Sequence, residues 1–310
     1  MIQTLTASAP ASASASAPAS ASASASASAP VTVREACIAL GVSQSGFYAH
    51  RHKAQRLRRL EDASITQEIK QVFEHTFHCY GSPRLVKALR KRGLRCGKTR
   101  IRRLMKQEGI CPKQKRRFRP RTTQSNPHLP CAPNVVAALA PAAAPAQRFH
   151  SDITYIPTKE GFLFLAATVD AFTRRCAGWC ARDNMETQLV KDAARMAFGT
   201  GSERVHHSDR GSQYASEGFR VLLQNENMVQ SMSRKGNCYD NALGESFWAT
   251  VKTECFDNFR SGIPETKAQA LQALFCYIEL FYNRERLHSA LGYKSPAQFE
   301  QDWTLQHFTV

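Results

Sequence analysis

The sequence predicts an α/β fold, a mixed five-stranded sheet with flanking helices, preceded by a small all-α region of helix-turn-helix type. Three observations carry the prediction. The chain has 310 residues, enough for about two domains that each bury a core. Its hydrophobic period is helical up to about residue 110 and turns, from residue 149, into short β-rich runs alternating with helices. The charge changes over the same interval: residues 31–130 hold 24 cations against 6 acids and residues 131–310 hold 18 against 19, so the net +17 belongs to the first part. A basic module beside a near-neutral one suggests that the first holds a polyanion and the second acts on it.

Residues 7–30 alternate Ala with Ser or Pro. Side chains this small bury too little apolar area to offset backbone ordering, so a disordered tail is expected over 1–30. Residues 31–62 form a short helical segment with a Ser43-Gln44-Ser45 capping signal. The helix-turn-helix region, 63–122, follows. Its first helix, Ser64 to Phe77, places Ile65, Ile69, Val72, Phe73 and Phe77 on one face. Its second starts at Gly81-Ser82-Pro83, with Pro83 in the first turn, and stops at Gly93. Its third starts at Gly97; Ile101, Leu104 and Met105 face inward, leaving Lys98, Arg100, Arg102, Arg103 and Lys106 outside to meet DNA phosphates. Six cations between Lys113 and Arg121, Arg116 and Arg117 among them, read as further phosphate contacts. Residues 123–148, Ala/Pro-rich from Pro130 on, read as a linker.

The catalytic domain is expected over 149–305. Strands are predicted over Ser151–Pro157, Phe162–Val169 and Arg174–Ala181; helices and strands then alternate through Glu186–Phe198, Arg204–Ser208, Ser216–Asn227 and Met228–Ser231. Helices over Tyr239–Thr253 and Glu265–Tyr282 close the pattern. Polynucleotidyl transferases and nucleases of the ribonuclease-H type use this layout.

Composition excludes other classes. No stretch approaches the roughly 20 apolar residues of a membrane span, and no secretory signal opens the chain. The ten Cys contain no C-x-x-C pair, which fits a reduced cytoplasmic protein better than a disulfide framework. His75, His78 and Cys79 lack the paired spacing of a zinc site.

Attack on a phosphodiester requires charge to be neutralised on the attacking and leaving oxygens, which two Mg2+ ions held by carboxylates can do. Three acids are suitably placed. Asp152 lies in the first strand, Asp209 just after the fourth, and Glu245 on the following helix; in this topology the first and fourth strands are neighbours and the helix packs across them. Lys252, two helical turns after Glu245, falls on the same face and would hold DNA phosphate. Arg234 and Lys235, with Gly236, read as a mobile basic loop that admits DNA. His207 and Arg210 flank Asp209 as orienters or phosphate contacts. Asn241 is either a turn residue or faces the site, and Phe247 and Trp248 read as packing.

The strings HSDRGSQYAS, SMSRKGNCYDNALGESFWATVKTE and YNRERLHSALGYKSPAQFE closely resemble the catalytic region of insertion-sequence transposases of the IS-three family, within the retroviral-integrase-like superfamily. YGSPRLVKALRKRGLRCGKTRIRRLMKQEGI resembles that family's preceding helix-turn-helix segment. The resemblance spans about residues 45–300 and implies a triad of two aspartates and a glutamate with 35 residues before the last, matching Asp152, Asp209 and Glu245. It implies a Mg2+-dependent transposase, with Mn2+ as a substitute, that cleaves at the element's ends and joins the released 3′-OH to target DNA through a circular or figure-eight intermediate. Partners follow: the terminal repeats, target DNA, further copies of the chain, and an upstream-frame helix-turn-helix protein, since the chain resembles the family's second-frame product. A nucleoid-associated, cytoplasmic location is expected.

Phe149 stands where the family usually has Trp, and the Ala/Pro linker is atypical. The role of Tyr282, Asn283, Arg286 and His288 stays open between closing the site, contacting target DNA and anchoring the core. Two other readings compete with the transposase: a structure-specific nuclease of the same fold, and a DNA-binding regulator with a degenerate catalytic domain acting through residues 64–121.

Overall fold

A computed structural model describes residues 32–113, 130–198, 204–234, 237–256 and 263–308. The Ala/Ser tail, Arg116, Arg117 and Lys235 lie outside the described residues. The chain divides into two compact units, 1–60 and 61–310.

In the first unit, α1 (Val33–Ala39) opens on a capping box in which Thr32 and Glu35 exchange backbone and side-chain bonds. Gly41, at φ +66°, ends it: its N–H reaches Ile38 O and that of Val42 reaches Cys37 O, a paired arrangement that satisfies the terminal carbonyls. Ser43 caps the next helix by accepting from Gly46 N at 3.0 Å. That helix, α2 (Gln44–His75), runs unbroken across the boundary placed at residues 62 and 63 from sequence. The reason is local: from Phe47 to His75 there is neither Gly nor Pro to stop it.

In the second unit, Ile65, Ile69, Val72 and Phe73 of α2 are buried as predicted, but the helix stops at His75 and Phe77, at φ +54°, lies beyond it. The helices α3 (Ser82–Lys91) and α4 (Lys98–Gln107) follow with Leu85, Leu89, Ile101, Leu104 and Met105 inward. The sheet comprises β1 (Arg148–Thr158), β2 (Gly161–Asp170), β3 (Cys176–Arg182), β4 (Arg204–Ser208) and β5 (Met228–Met232), in the order β3-β2-β1-β4-β5. β1 is antiparallel to β2 and parallel to β4, with Ser151 opposite Ser208; this is the ribonuclease-H-like arrangement. The helices are α5 (Thr187–Ala197), α6 (Ser212–Ala215), α7 (Glu217–Asn225), α8 (Ala242–Cys255), α9 (Lys267–Phe275) and α10 (Pro296–Phe308).

Alternation along β2 divides the core. Leu163, Leu165, Ala167 and Val169 face a cluster containing Trp248 and Val251 of α8 together with Ile69, Leu85, Leu89 and Leu104, so the basic helices and the sheet share one core. Ala166 faces the other cluster, with α5 and α7. There Gly178 permits close packing: a Cβ would stand 2.1 Å from Ala193 O.

Two stretches differ from expectation. Over residues 276–282 the helix predicted to Tyr282 widens into a π-helical segment. Residues 130–147 lie against the sheet: Ser231 Oγ accepts from Val135 N and Val136 N at 3.0 and 3.3 Å, and Asn134 donates to Asp240 at 2.8 Å. Residues 132–136 thus meet the end of the edge strand β5 at Ser231 and Met232.

Candidate active site

The β1–β4 ladder ends at Ser151 and Ser208 while β1 runs on beside β2 to Thr158, and α8 packs over β1 and β2. Asp152 follows Ser151 on β1, and Asp209 follows Ser208 on β4, one step beyond the last paired residues of the two strands. Asp209 Oδ1 accepts from Gly211 N at 2.9 Å, which turns the chain away from the strand. Three contacts bring α8 to Asp152. Gly244 lies so close that a Cβ on it would stand 2.8 Å from Asp152 Cβ. Trp248 Nε1 donates to Asp152 O at 3.2 Å, and Asn241 Nδ2 donates to Ser151 O at 3.1 Å. Trp248 therefore does more than pack, and Asn241 ties the entry of α8 to β1 without capping the helix.

The electrostatics record the convergence. Half-buried Asp152 is held well above the usual carboxylate range by burial first, then by the negative charges of Asp209 and Glu245; the Ile153 N–H and the Lys252 ammonium pull the other way. Lys252 is lowered by burial, against the pull of Asp152, and its Nζ lies 5.2 Å from the centre of the Tyr155 ring. Tyr214 is fully buried, its hydroxyl has no hydrogen-bond partner among the described residues, and burial, then Asp152 and Asp209, raise it. Excess negative charge with one amine beside it, on hard oxygen donors, suits a divalent cation. Among the described residues no three His, Cys, Asp or Glu side chains stand as a closed ligand group.

The other predicted residues take varied positions. Lys98, Arg102 and Lys106 are exposed. Arg100 pairs with Asp62 at 2.7 Å and Glu61 at 3.1 Å, and Arg103 pairs with Asp62 at 2.7 Å. Arg234 donates from its backbone and guanidinium to Asp240 at 2.8–3.0 Å. That pairing holds the Asp240 carboxyl well below its usual range. His207 is buried against the Ser231 and Ser233 hydroxyls, and Arg210 donates to Ser233 O at 2.7 Å.

The group left open from sequence is an internal clamp. Asn283 pairs through its side-chain amide with Cys176 N and O, both at 3.0 Å, and Tyr282 donates to Arg174 O at 3.1 Å. Arg286 donates to both oxygens of Glu254 on α8, at 2.6 and 2.5 Å, where Tyr277 adds a bond of 2.6 Å. Burial pushes Glu254 up, but the bonds and charge of Arg286 outweigh it and hold the carboxyl below its usual range. His75 pairs with Glu285 and His78 with Glu74, each a local contact.

Comparison with known proteins follows these elements. Residues 142–238 and 226–296 match models described as Integrase core domain, and residues 59–118 match one described as HTH-like domain. A 31 kDa protein of insertion element IS600 from Shigella sonnei is 40% identical over 272 residues, 86% of this chain and 98% of that protein. The transposase for insertion sequence element IS904 from Lactococcus lactis is 37% identical, covering 81% of this chain and 98% of that one. Transposase InsF for insertion sequence IS3A from Escherichia coli is 34% identical, with 87% and 94% covered. With two integrase-core matches spanning the sheet and α8, a helix-turn-helix match spanning the basic helices, and relatives aligned over nearly their whole length, the chain belongs to the integrase-core transposase family of insertion sequences.

Proposed function

We propose that this chain is a DNA transposase in which Asp152, Asp209 and Glu245 are the catalytic carboxylates and hold divalent metal. The observation that carries the reading is the close approach of α8, which carries Glu245, to β1 at Asp152 through Gly244 and Trp248, one residue past the end of the β1–β4 ladder after which Asp209 follows. Mg2+ in two copies, or Mn2+ in its place, would supply there the positive charge that stabilises developing negative charge on the attacking and leaving oxygens. In the cleavage step water oxygen bonds to phosphorus and the bond to the 3′ oxygen breaks, leaving a 3′-OH. In the joining step that hydroxyl attacks a target phosphodiester and displaces another 3′ oxygen. No covalent bond to the enzyme is needed.

The chain's own part is placement. Lys252, on the same helix as Glu245, binds a DNA phosphate beside the carboxylates. Asn241 and Trp248 fix the β1 carbonyls around Asp152, and Asp240 steadies the turn into α8 through Arg234. Lys98, Arg102 and Lys106 of α4 contact phosphates away from the reaction; Arg100 and Arg103 do so by exchanging Asp62 and Glu61 for DNA. Holding two element ends at once calls for at least two copies of the chain on DNA, with an upstream-frame protein as a further partner at the nucleoid.

The experiment is an incubation of the full chain, alone and with its upstream-frame protein, with labelled terminal-repeat DNA and Mg2+ or Mn2+. Joined products are expected. Cleavage without joining would instead identify a nuclease, and binding alone a regulator.

A further inference from the structure

The basic helix surface that lies mostly ahead of the HTH-like match at 59–118 has no assigned role. From Gln44 to Leu60 the helix α2 carries Arg51, Lys53, Arg56, Arg58 and Arg59 and no acid. Every residue in that stretch is exposed except half-buried Ala54. Among the described residues none of the five cations forms an ion pair, whereas Arg92, Arg100 and Arg103 all do. Like charges also fall three residues apart, at Lys53 and Arg56 and at Arg56 and Arg59, a spacing that opposes helix formation unless a counter-charge is supplied. The stretch also exposes Phe47, Tyr48, Leu57 and Leu60, so it has no packed face of its own and gains order from what it binds.

The local geometry specifies the form. α1, a four-residue connection containing Gly41 at φ +66°, and the Ser43-capped first half of α2 make a helix-turn-helix unit whose second helix runs on into the HTH-like match. Ile38, Leu40 and Val42 around the turn are exposed as well, and a second copy of this chain packing there is the competing occupant. Charge decides between them: two copies would oppose their unpaired cations, whereas a nucleic-acid duplex neutralises them.

We propose that residues 32–60 are a second DNA-contacting element, in which Arg51, Lys53 and Arg56 on the first half of α2 meet backbone phosphates of a DNA duplex. The inference rests on the chain acting on DNA, but its test needs no catalysis. Full-length protein carrying Asp209→Asn, without metal, is titrated with terminal-repeat and with unrelated duplexes over a range of salt, with and without the triple change Arg51→Gln, Lys53→Gln and Arg56→Gln. Each lost phosphate contact flattens the slope of log affinity against log salt by about 0.9, so the triple variant is expected to flatten it by nearly 3 on both duplexes. Circular dichroism and sedimentation accompany the titration. An unchanged slope with helix content retained would overturn the proposal, and a shift toward monomer with an unchanged slope would assign the surface to self-association. If helix content falls, Arg51→Gln and Arg56→Gln made singly take the place of the triple variant, with a flattening of about 0.9 expected from each and no change in either overturning the proposal. Loss of joining in catalytically intact protein is a separate measurement, so failure of the transposase reading and failure of this one are told apart.

Discussion

Gly244 is the residue on which the site's closeness depends. Its missing side chain lets α8 lie against β1, and a Cβ would meet Asp152 Cβ at 2.8 Å. Backbone and a β-carbon on the neighbouring strand have little room to yield, so Gly244→Ala is expected to cost about 1–3 kcal/mol as overpacking, read by urea unfolding. It should also lower joining more than DNA binding, because the displaced element carries Glu245 and Lys252. The acids themselves were legible in sequence, since catalysis on phosphodiesters demands carboxylates and their flanking strings are specific. Gly244 and Trp248 were not: a glycine in a helix and an aromatic beside it look the same whether they pack or position, and only the approach of α8 to Asp152 separates the two. The same applies to Arg100 and Arg103, whose partners Glu61 and Asp62 lie on a helix about 40 residues earlier.

At the scale of elements, α8 is held at both ends. Near its start Asn241 and Trp248 bind β1; near its end Glu254 is buried against Arg286 and Tyr277, with Arg84 of α3 at 4.0 Å. The α3 segment also reaches this clamp through Tyr80, whose hydroxyl accepts from Leu287 N at 2.8 Å. Breaking the clamp on one side strands a buried carboxylate. Arg286→Met is therefore expected to destabilise by about 3–5 kcal/mol, and Arg286→Met with Glu254→Gln to recover part of that loss, because removing both charges removes the desolvation penalty as well; chemical unfolding of the single and double variants checks this. Most elements were readable from periodicity, and the pairing of the first strand with the fourth followed from the ribonuclease-H-type layout. The continuity of α2 was missed because a change of composition near residue 60 resembled a boundary. α10 was missed although Ser295, capping Gln298 N, and Pro296 in the first turn announce it. The π-helical segment had no sequence signal, since its register is set by what Tyr277 and Tyr282 reach.

Across the whole molecule, cations gather on α2 and α4, where DNA contact is proposed, and Asp152, Asp209 and Glu245 stand where metal is proposed. Buried neutral histidines set the molecule's response to acid. His206 is pushed down to about 3 by burial, then by the nearby His150 and His207, and His288 to about 3 by burial, then by Arg286, Arg84 and Arg174. Their folded values lie below the unfolded value near 6.5, so the unfolded chain binds more protons and stability is lost as pH falls from there toward 3. Each is expected to remove about 2 kcal/mol by pH 5, a decline that unfolding curves at pH 7, 6 and 5 measure. The central claim is that three gathered carboxylates perform the joining. It is tested most directly by following joined product from terminal-repeat DNA with the native chain and with Asp209→Asn, at matched DNA occupancy and saturating Mg2+ or Mn2+. The account predicts that joining is abolished while DNA binding is retained; joining by Asp209→Asn at the native rate would contradict it.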